Sequence, residues 1–406
     1  GGPGKPARAR MECEELASHL TRRLQLALAQ RGEHAPPAPP TRATDGAGDG
    51  SSKRRWSPER LAALLATLPA ARLYPELTER AARVLRSWHG RFPAGVWSRF
   101  VRIADSGVGR TRQLPKVVKE FNESAPVLAR LLAWLEESRA AGDPAVDIVD
   151  LCSGFGFLAM FASELAPEGA VECIYLVDQS WPNKSNGSSG FITTEHIYDC
   201  GAWRVPLLTL KIDMGKGGDV RGLARHVLCE PRPTLLLGIH LCGALSLRAC
   251  QLFNEGVLGG FGVTGLILAP CCLPRRQHSQ RGFVYDVGGH RFAAAELSSQ
   301  GSGGGEKGRG VFDTYTEHLL ACLRSAEKRR EVVHIQSFGG ARGHTAAGGA
   351  AGGTSDDRDV FLTARAPFRY EQSGSQAPDT SGFGLPVVVE GDGVSQQLTR
   401  SQASGA

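Results

Sequence analysis

The sequence has no uninterrupted apolar run near the roughly 18 residues of a membrane helix, so neither a membrane-spanning helix nor a membrane partner is expected. It has no dense, even cysteine framework: ten cysteines are scattered over 406 residues, several inside apolar runs. That usage excludes a small disulfide-built secreted domain and fits reduced thiols in an intracellular setting, cytoplasmic or nuclear. No apolar leader with a small-residue cleavage site is visible. The basic first ten residues would suit an organellar leader, but Glu12, Glu14 and Glu15 follow at once, and organellar targeting stays open. The chain opens on Gly1 rather than Met, which reads as a fragment. There is no internal repeat, and no dense basic stripe either. Of the net charge of +6, residues 1–56 supply +4 and residues 371–406 supply −3, leaving +5 for the centre. That balance permits an RNA partner without announcing one.

An apolar share of 41% and a charged share of 22% are those of an ordinary globular chain, so collagen-like, fibrous and wholly disordered proteins are excluded. Glycine is the outlier, with 51 residues against a usual share of about 7%. Residues 1–56 read as low-complexity, with one helical rhythm from Met11 to Gln30. The Gly/Ser-rich segments 181–192, 298–310 and 338–357 read as flexible insertions, and 371–406 as a disordered tail. Ser57-Pro58-Glu59 supplies an N-cap, a first-position proline and an early acid. A helical extension over 57–144 is therefore predicted, with helices near 58–68, 74–89 and 124–138. The last carries Val127, Leu128, Leu131, Leu132 and Leu135 on one face.

From Ala145 onward the period changes. Strand-like runs at 146–151, 171–177, 206–212, 234–241, 263–269, 331–336 and 359–364 alternate with helical segments at 157–166, 220–229, 244–255 and 311–327. Strands alternating with helices predict an α/β, doubly wound, mostly parallel sheet of seven strands over residues 145–370.

The first of these strands ends in Asp150-Leu151-Cys152-Ser153-Gly154-Phe155-Gly156. Glycines there let backbone approach a ligand at the carboxyl edge of the sheet, and Ala159 takes the third position of G-x-G-x-x-G. Asp150 at the strand end would repel a pyrophosphate but suits a cationic or hydroxyl-bearing ligand. Asp178 ends the next strand, where an acid can accept bonds from ribose hydroxyls. Asp213, after the third strand, is placed to meet an adenine amino group. The ligand that fits Asp150, Ser153, Gly154, Gly156, Asp178 and Asp213 is S-adenosyl-L-methionine, with NAD as the alternative and a plain structural turn as the bland reading.

Four blocks carry a resemblance: Asp150-Leu-Cys-Ser-Gly-Phe-Gly156, His240-Leu-Cys-Gly243, Ala269-Pro-Cys-Cys272 and Lys119-Glu-Phe-Asn-Glu-Ser124. In them the chain resembles the class I S-adenosylmethionine-dependent methyltransferases, nearest a eukaryotic subgroup that includes the acceptor-stem tRNA 2'-O-methyltransferase and several methyltransferase-like proteins. By order of elements the likeness runs over residues 110–370. It implies a Rossmann-like methyltransferase fold of seven strands, the last antiparallel, and S-adenosylmethionine as cofactor. The tRNA enzyme carries Cys/His zinc modules ahead of its catalytic domain. Here only Cys13, His19, His34 and His89 precede residue 145, too few for such a module.

Strands 234–241 and 263–269 should be neighbours, so His240 and Cys242 would meet Cys271 and Cys272 beside the cofactor cleft. Three chemistries compete there. His240 could serve as general base for a hydroxyl or amine acceptor. A cysteine thiolate could add to a pyrimidine ring, although the Asp-Ala-Pro-Cys motif of cytosine-C5 enzymes is lacking. Or His-x-Cys with Cys-Cys could ligate zinc, adjacent cysteines making an awkward pair for one ion; no metal ligand is assigned at this point. Against all three stands the bland alternative of small buried cysteines around a satisfied core histidine. Lys119–Ser124 reads as a helix cap or a lid, and Arg275-Arg276-Gln277-His278 as a basic loop able to touch RNA.

The expected function is S-adenosylmethionine-dependent methyl transfer to RNA, tRNA or rRNA, with a protein or small-molecule acceptor as one alternative. A catalytically inactive interaction module is the other, kept in view because no Asn/Asp-Pro-Pro-aromatic motif is present.

Overall fold

The computed structural model describes residues 56–103, 114–181, 192–229, 232–274, 283–297, 311–333, 359–367 and 387–388. The expected helix at 11–30, the basic loop 275–278 and nearly all of the three insertions and the 371–406 tail lie outside those residues.

Five helices come first: α1 (Pro58–Leu65), α2 (Pro69–Leu73), α3 (Pro75–Arg91), α4 (Ala94–Phe100) and α5 (Lys116–Ala141). The Ser57 side chain caps α1 by accepting from the Arg60 amide at 3.4 Å, with Pro58 in the first turn as its fixed φ allows. α5 starts eight residues earlier than expected, at Lys116. Pro126 sits inside the helix, where a proline costs about 3 kcal/mol. The surrounding turn outweighs that cost by burying Phe121, Val127, Leu128, Leu131 and Leu132. Lys119–Ser124 is therefore mid-helix backbone, neither a cap nor a lid.

The strands and the helices that cross between them follow. These are β1 (Val146–Leu151), α6 (Phe157–Leu165), β2 (Val171–Asp178), α7 (Glu195–Tyr198), β3 (Leu207–Lys211), α8 (Gly217–Leu223), β4 (Thr234–Ile239), α9 (Ala244–Leu258), β5 (Val263–Ala269), β6 (Val284–Val287), β7 (His290–Ala293), α10 (Val311–Cys322), β8 (Glu327–Val333), β9 (Asp359–Arg365) and β10 (Val387–Val388). A π-helical turn, Ala224–Leu228, continues α8. Seven strands form one sheet in the order β3-β2-β1-β4-β5-β9-β8. β3, β2, β1, β4 and β5 are parallel, and β9 runs antiparallel to both β5 and β8. This is the Rossmann-like, seven-stranded architecture the sequence predicts, last strand reversed.

Side-chain alternation divides the interior into two cores. Val146, Ile148, Ile174, Leu176, Leu235, Leu237 and Ile267 pack with the N-terminal helices and α6. Val149, Leu151, Val177, Leu208, Leu236, Leu266 and Leu268 pack with α8, α9 and α10. β1 is buried along its whole length, paired in step from Asp147 onward with β2 on one side and β4 on the other.

Two elements depart from expectation. β8 begins at Glu327, not 331: its Glu-Lys-Arg-Arg run is charged because it is the sheet's outer strand, where charges block further pairing. A second sheet, β10-β6-β7, was not foreseen; β6 and β7 turn tightly through Gly288 and Gly289, both at positive φ. β10 also places one short strand inside the tail expected to be disordered.

The N-terminal helices share the first core rather than lying on its surface. Trp88 of α3 is fully buried, its ring 4.8 Å from Phe161 of α6, and its indole N–H donates to Glu164 Oε1 at 3.2 Å. Arg91 pairs with the same carboxylate at 3.0 Å and lies 4.3 Å over Trp203. Trp88→Ala should cost about 3–5 kcal/mol in urea unfolding, within a single transition. A separate early transition for the helices would contradict the shared core.

Candidate functional site

The parallel strands end along one edge, and the sequence-predicted residues divide there into three groups. The first is the glycine loop between β1 and α6. The Asp178 carboxylate holds it from the end of β2: Oδ2 accepts from the Gly154 amide at 3.0 Å, and Oδ1 accepts from the Ser180 amide at 2.7 Å. Each oxygen keeps a second lone pair for another donor. Gly156 has φ +89°, and a Cβ there would fall 2.4 Å from Leu176 Cδ2, so both backbone and packing require glycine. Gly154 has φ +54° but open space where a Cβ would stand.

Asp150, 2% exposed, faces the same core as Ile148, and its Oδ2 has no hydrogen-bond partner. Burial pushes its carboxyl up to about 8, the Asp178 charge adds to the rise, and the Ala159 amide pulls it down. Ser153 donates its amide to Val177 O at 2.9 Å, while its buried Oγ has no partner. Asp213 lies after β3 with both oxygens engaged: Oδ1 accepts from the Gly215 amide at 2.9 Å, and Oδ2 pairs with Lys216 at 3.1 Å. An adenine amino group would have to share one of them.

The second group forms around His240, which follows β4 with φ +58°. A positive φ is uncommon outside glycine and concentrates at functional positions. Its Nε2 lies 3.1 Å from Glu123 Oε2, and Lys119 pairs with that same oxygen at 2.7 Å. Burial lowers the His240 pKa most strongly, but the hydrogen bond and charge of Glu123, helped by Glu120, outweigh it and raise it overall. A carboxylate accepts only, so Nε2 carries the proton and Nδ1 is left as the basic nitrogen. The side chain is 46% exposed, which disposes of the satisfied core histidine.

The third group is sulfur. Cys242 and Cys271 place their Sγ atoms 3.4 Å apart, and the sulfurs of Cys242, Cys271 and Cys272 all lie within 4.8 Å of one another. Cys242 is exposed and the other two are half-buried. The small-hydrophobe reading fails for them. It holds for Cys173, Cys250 and Cys322, which are core residues. His240 does not join the sulfurs; it belongs with Glu120 and Glu123.

Three participants were missed. Glu123 was read as part of a cap or lid, and only the fold reveals that it meets His240. Cys152, inside the loop, has φ +55°. Burial pushes its thiol up to about 12, and the charges of Asp178, Asp150, Cys242 and Asp213 push the same way. His196 stacks on Phe155 at 4.0 Å with an 8° tilt, and burial lowers its pKa to about 4. The neutral ring donates Nε2–H to Phe155 O at 3.0 Å and braces the loop from outside. No sequence signal marks His196.

No protein-family model matches the chain, and neither does any curated protein. Among solved structures, it is similar to magnesium protoporphyrin IX methyltransferase (ChlM) from Synechocystis PCC 6803, which was crystallised with bound SAM. Identity is 12% and the TM-score 0.29, over 70% of this chain and 96% of that one. It is similar also to the CurJ carbon methyltransferase, at 13% identity and TM-score 0.34 over 76% and 71% of the two chains. A third likeness is to a possible exported protein from Bordetella parapertussis, at 11% identity and TM-score 0.28 over 79% and 100%. The functional reading rests on the geometry of this site.

The two loop glycines give the site a direct test. Gly156→Ala meets both a disallowed φ and Leu176, and should lose about 2–4 kcal/mol in chemical unfolding. Gly154→Ala meets only the φ penalty, about 1–2 kcal/mol. Equal losses would mean that the loop does not pack on β2 as described.

Proposed function

We propose that this chain is an S-adenosylmethionine-dependent methyltransferase. The observation that carries the reading is the pair Asp150 and Asp178 around the glycine turn. One buried carboxyl has an unpartnered oxygen. The other holds the loop amide and keeps lone pairs for hydroxyl donors. The donor set fits the cofactor: Asp178 would accept from ribose hydroxyls, Gly154 and Ser153 would admit close approach, and Asp150 would face the cationic methionine end. A pyrophosphate would meet the Asp178 carboxylate and, wherever Asp150 ionises, a second one, which argues against NAD. When bound, S-adenosylmethionine supplies an electrophilic methyl group.

The chain's own contribution is placement and proton handling. His240, oriented by Glu123 through Nε2, offers Nδ1 to take the proton of a hydroxyl or amine acceptor. Holding acceptor and donor in line is worth more to such a displacement than any single group. The finer reading is an RNA acceptor, tRNA or rRNA, supported by the His-Leu-Cys-Gly and Pro-Cys-Cys blocks.

Calorimetry with S-adenosylmethionine tests the cofactor. Micromolar binding is expected, weakened about 10–100-fold by Asp178→Ala, which removes hydrogen bonds to a charged group. The pH dependence follows from Asp150. With its carboxyl raised to about 8, it is protonated below that pH and must ionise to face a cation. Affinity should therefore climb as pH rises from 6 towards 8 and then level off, and Asp150→Asn should flatten the curve. No binding at any pH would sink the proposal.

Methyl transfer into RNA pools tests the acceptor. His240→Asn should keep cofactor affinity and lose transfer by at least about 100-fold, the scale of general-base catalysis. RNA binding should weaken steeply with salt. Binding that ignores salt, with transfer into protein instead, would overturn the RNA reading.

A further inference from the structure

We infer that Cys242, Cys271 and Cys272 form a three-thiolate binding site for a zinc-class divalent ion. The geometry comes from the sheet. β4 and β5 are hydrogen-bonded neighbours in register from Leu235 beside Gly265 to Ile239 beside Ala269, so the residues just beyond them meet at one edge. The β4 chain breaks at His240 with positive φ, and Cys242 then lies on the sulfur side while His240 is held by Glu123. The Pro270 turn after β5 presents both cysteines of the adjacent pair to Cys242, which removes the objection that neighbouring cysteines cannot share an ion.

Sulfurs around a tetrahedral zinc at about 2.3 Å stand about 3.8 Å from one another. The Cys242–Cys271 separation of 3.4 Å, with all three sulfurs within 4.8 Å, is close to that spacing. Exposure of Cys242 gives an ion a route in. The Gly243 amide, at the start of α9, donates to Cys272, the kind of backbone contact that steadies a metal-bound thiolate. Among the described residues no fourth His, Cys, Asp or Glu reaches the three sulfurs.

Coordination converts three thiols to thiolates and releases three protons to solvent, so the filled site carries one net negative charge. That charge would lie near Cys152, which already feels Cys242 together with Asp150 and Asp178. It would add to the attraction of this edge for a cation. The inference does not depend on the cofactor reading, since its test involves no S-adenosylmethionine.

The test is an anaerobic titration of the reduced full chain with Co2+, followed by displacement with Zn2+. One Co2+ per chain should bind with thiolate-to-metal charge-transfer absorption of about three thiolates and tetrahedral visible bands. Cys271→Ser should weaken binding by on the order of 100-fold or more, while Cys229→Ser should change nothing. Alkylation of the wild-type chain with and without Zn2+ covers the event that variants misfold: protection should map to Cys242, Cys271 and Cys272. Absence of the charge-transfer band, or protection at other cysteines, overturns the inference.

Discussion

Every group at the carboxyl edge is positioned by the register of β1. That strand is buried on both faces and hydrogen-bonded to β2 and β4 in step, Val149 beside Tyr175 and beside Leu236. A shift by one residue would exchange the two cores, moving Ile148 into the set that holds Val149. The apolar alternation of β1 and its two neighbours therefore fixes where the strand stops. Where it stops decides that Asp150 is inside, that Gly154 is within reach of Asp178, and that the β4 tip lies alongside.

That placement has an electrostatic cost. Asp150 is a carboxyl with a raised pKa, so the sign runs opposite to that of a salt-bridged acid. Above the unfolded value near 4 the unfolded chain gains by ionising and the folded chain does not, and the fold loses stability progressively until about pH 8. Burial is the larger cause and Asp178 the second, so moving Asp178 away would give only part of it back. A group that weakens the fold and has an unpartnered oxygen is what the proposed cationic ligand would account for. The glycine turn alone does not demand one; a turn needs no buried acid.

The sequence made most of the fold legible because its signals are local. The five parallel strands are apolar runs bounded by turn residues, and their ends fall within a residue or two of expectation. What it misread also has physical causes. β8 opens on Glu327-Lys328-Arg329-Arg330, a charged run that is a strand only because β9 pairs with it. α5 begins at Lys116 rather than 124, because its charged first turns still bury Val117, Val118 and Phe121. The β6–β7 hairpin did leave a mark, the Gly288-Gly289 pair between Val284–Val287 and His290–Ala293, but four-residue strands give too short a period to see. The site divides along the same line. Asp150, Gly154, Gly156 and Asp178 sit in one local motif and its downstream acid. Glu123 and His240 lie 117 residues apart, and no spacing rule connects them.

The tip of β4 shows why residue type alone left three chemistries open. On an extended strand His240 and Cys242 would share a face, as would suit a single four-ligand site. Positive φ at His240 and again at Gly243 turns the chain twice within four residues. The first turn carries the imidazole to the carboxylate of α5. The second starts α9, with Gly243 O accepting from buried Tyr315 at 2.7 Å and the Gly243 amide turned toward Cys272. Nitrogen and sulfur are thereby separated into an imidazole with its carboxylate partner and a cluster of three thiols. The separation rests on two backbone angles rather than on which side chains the tip carries.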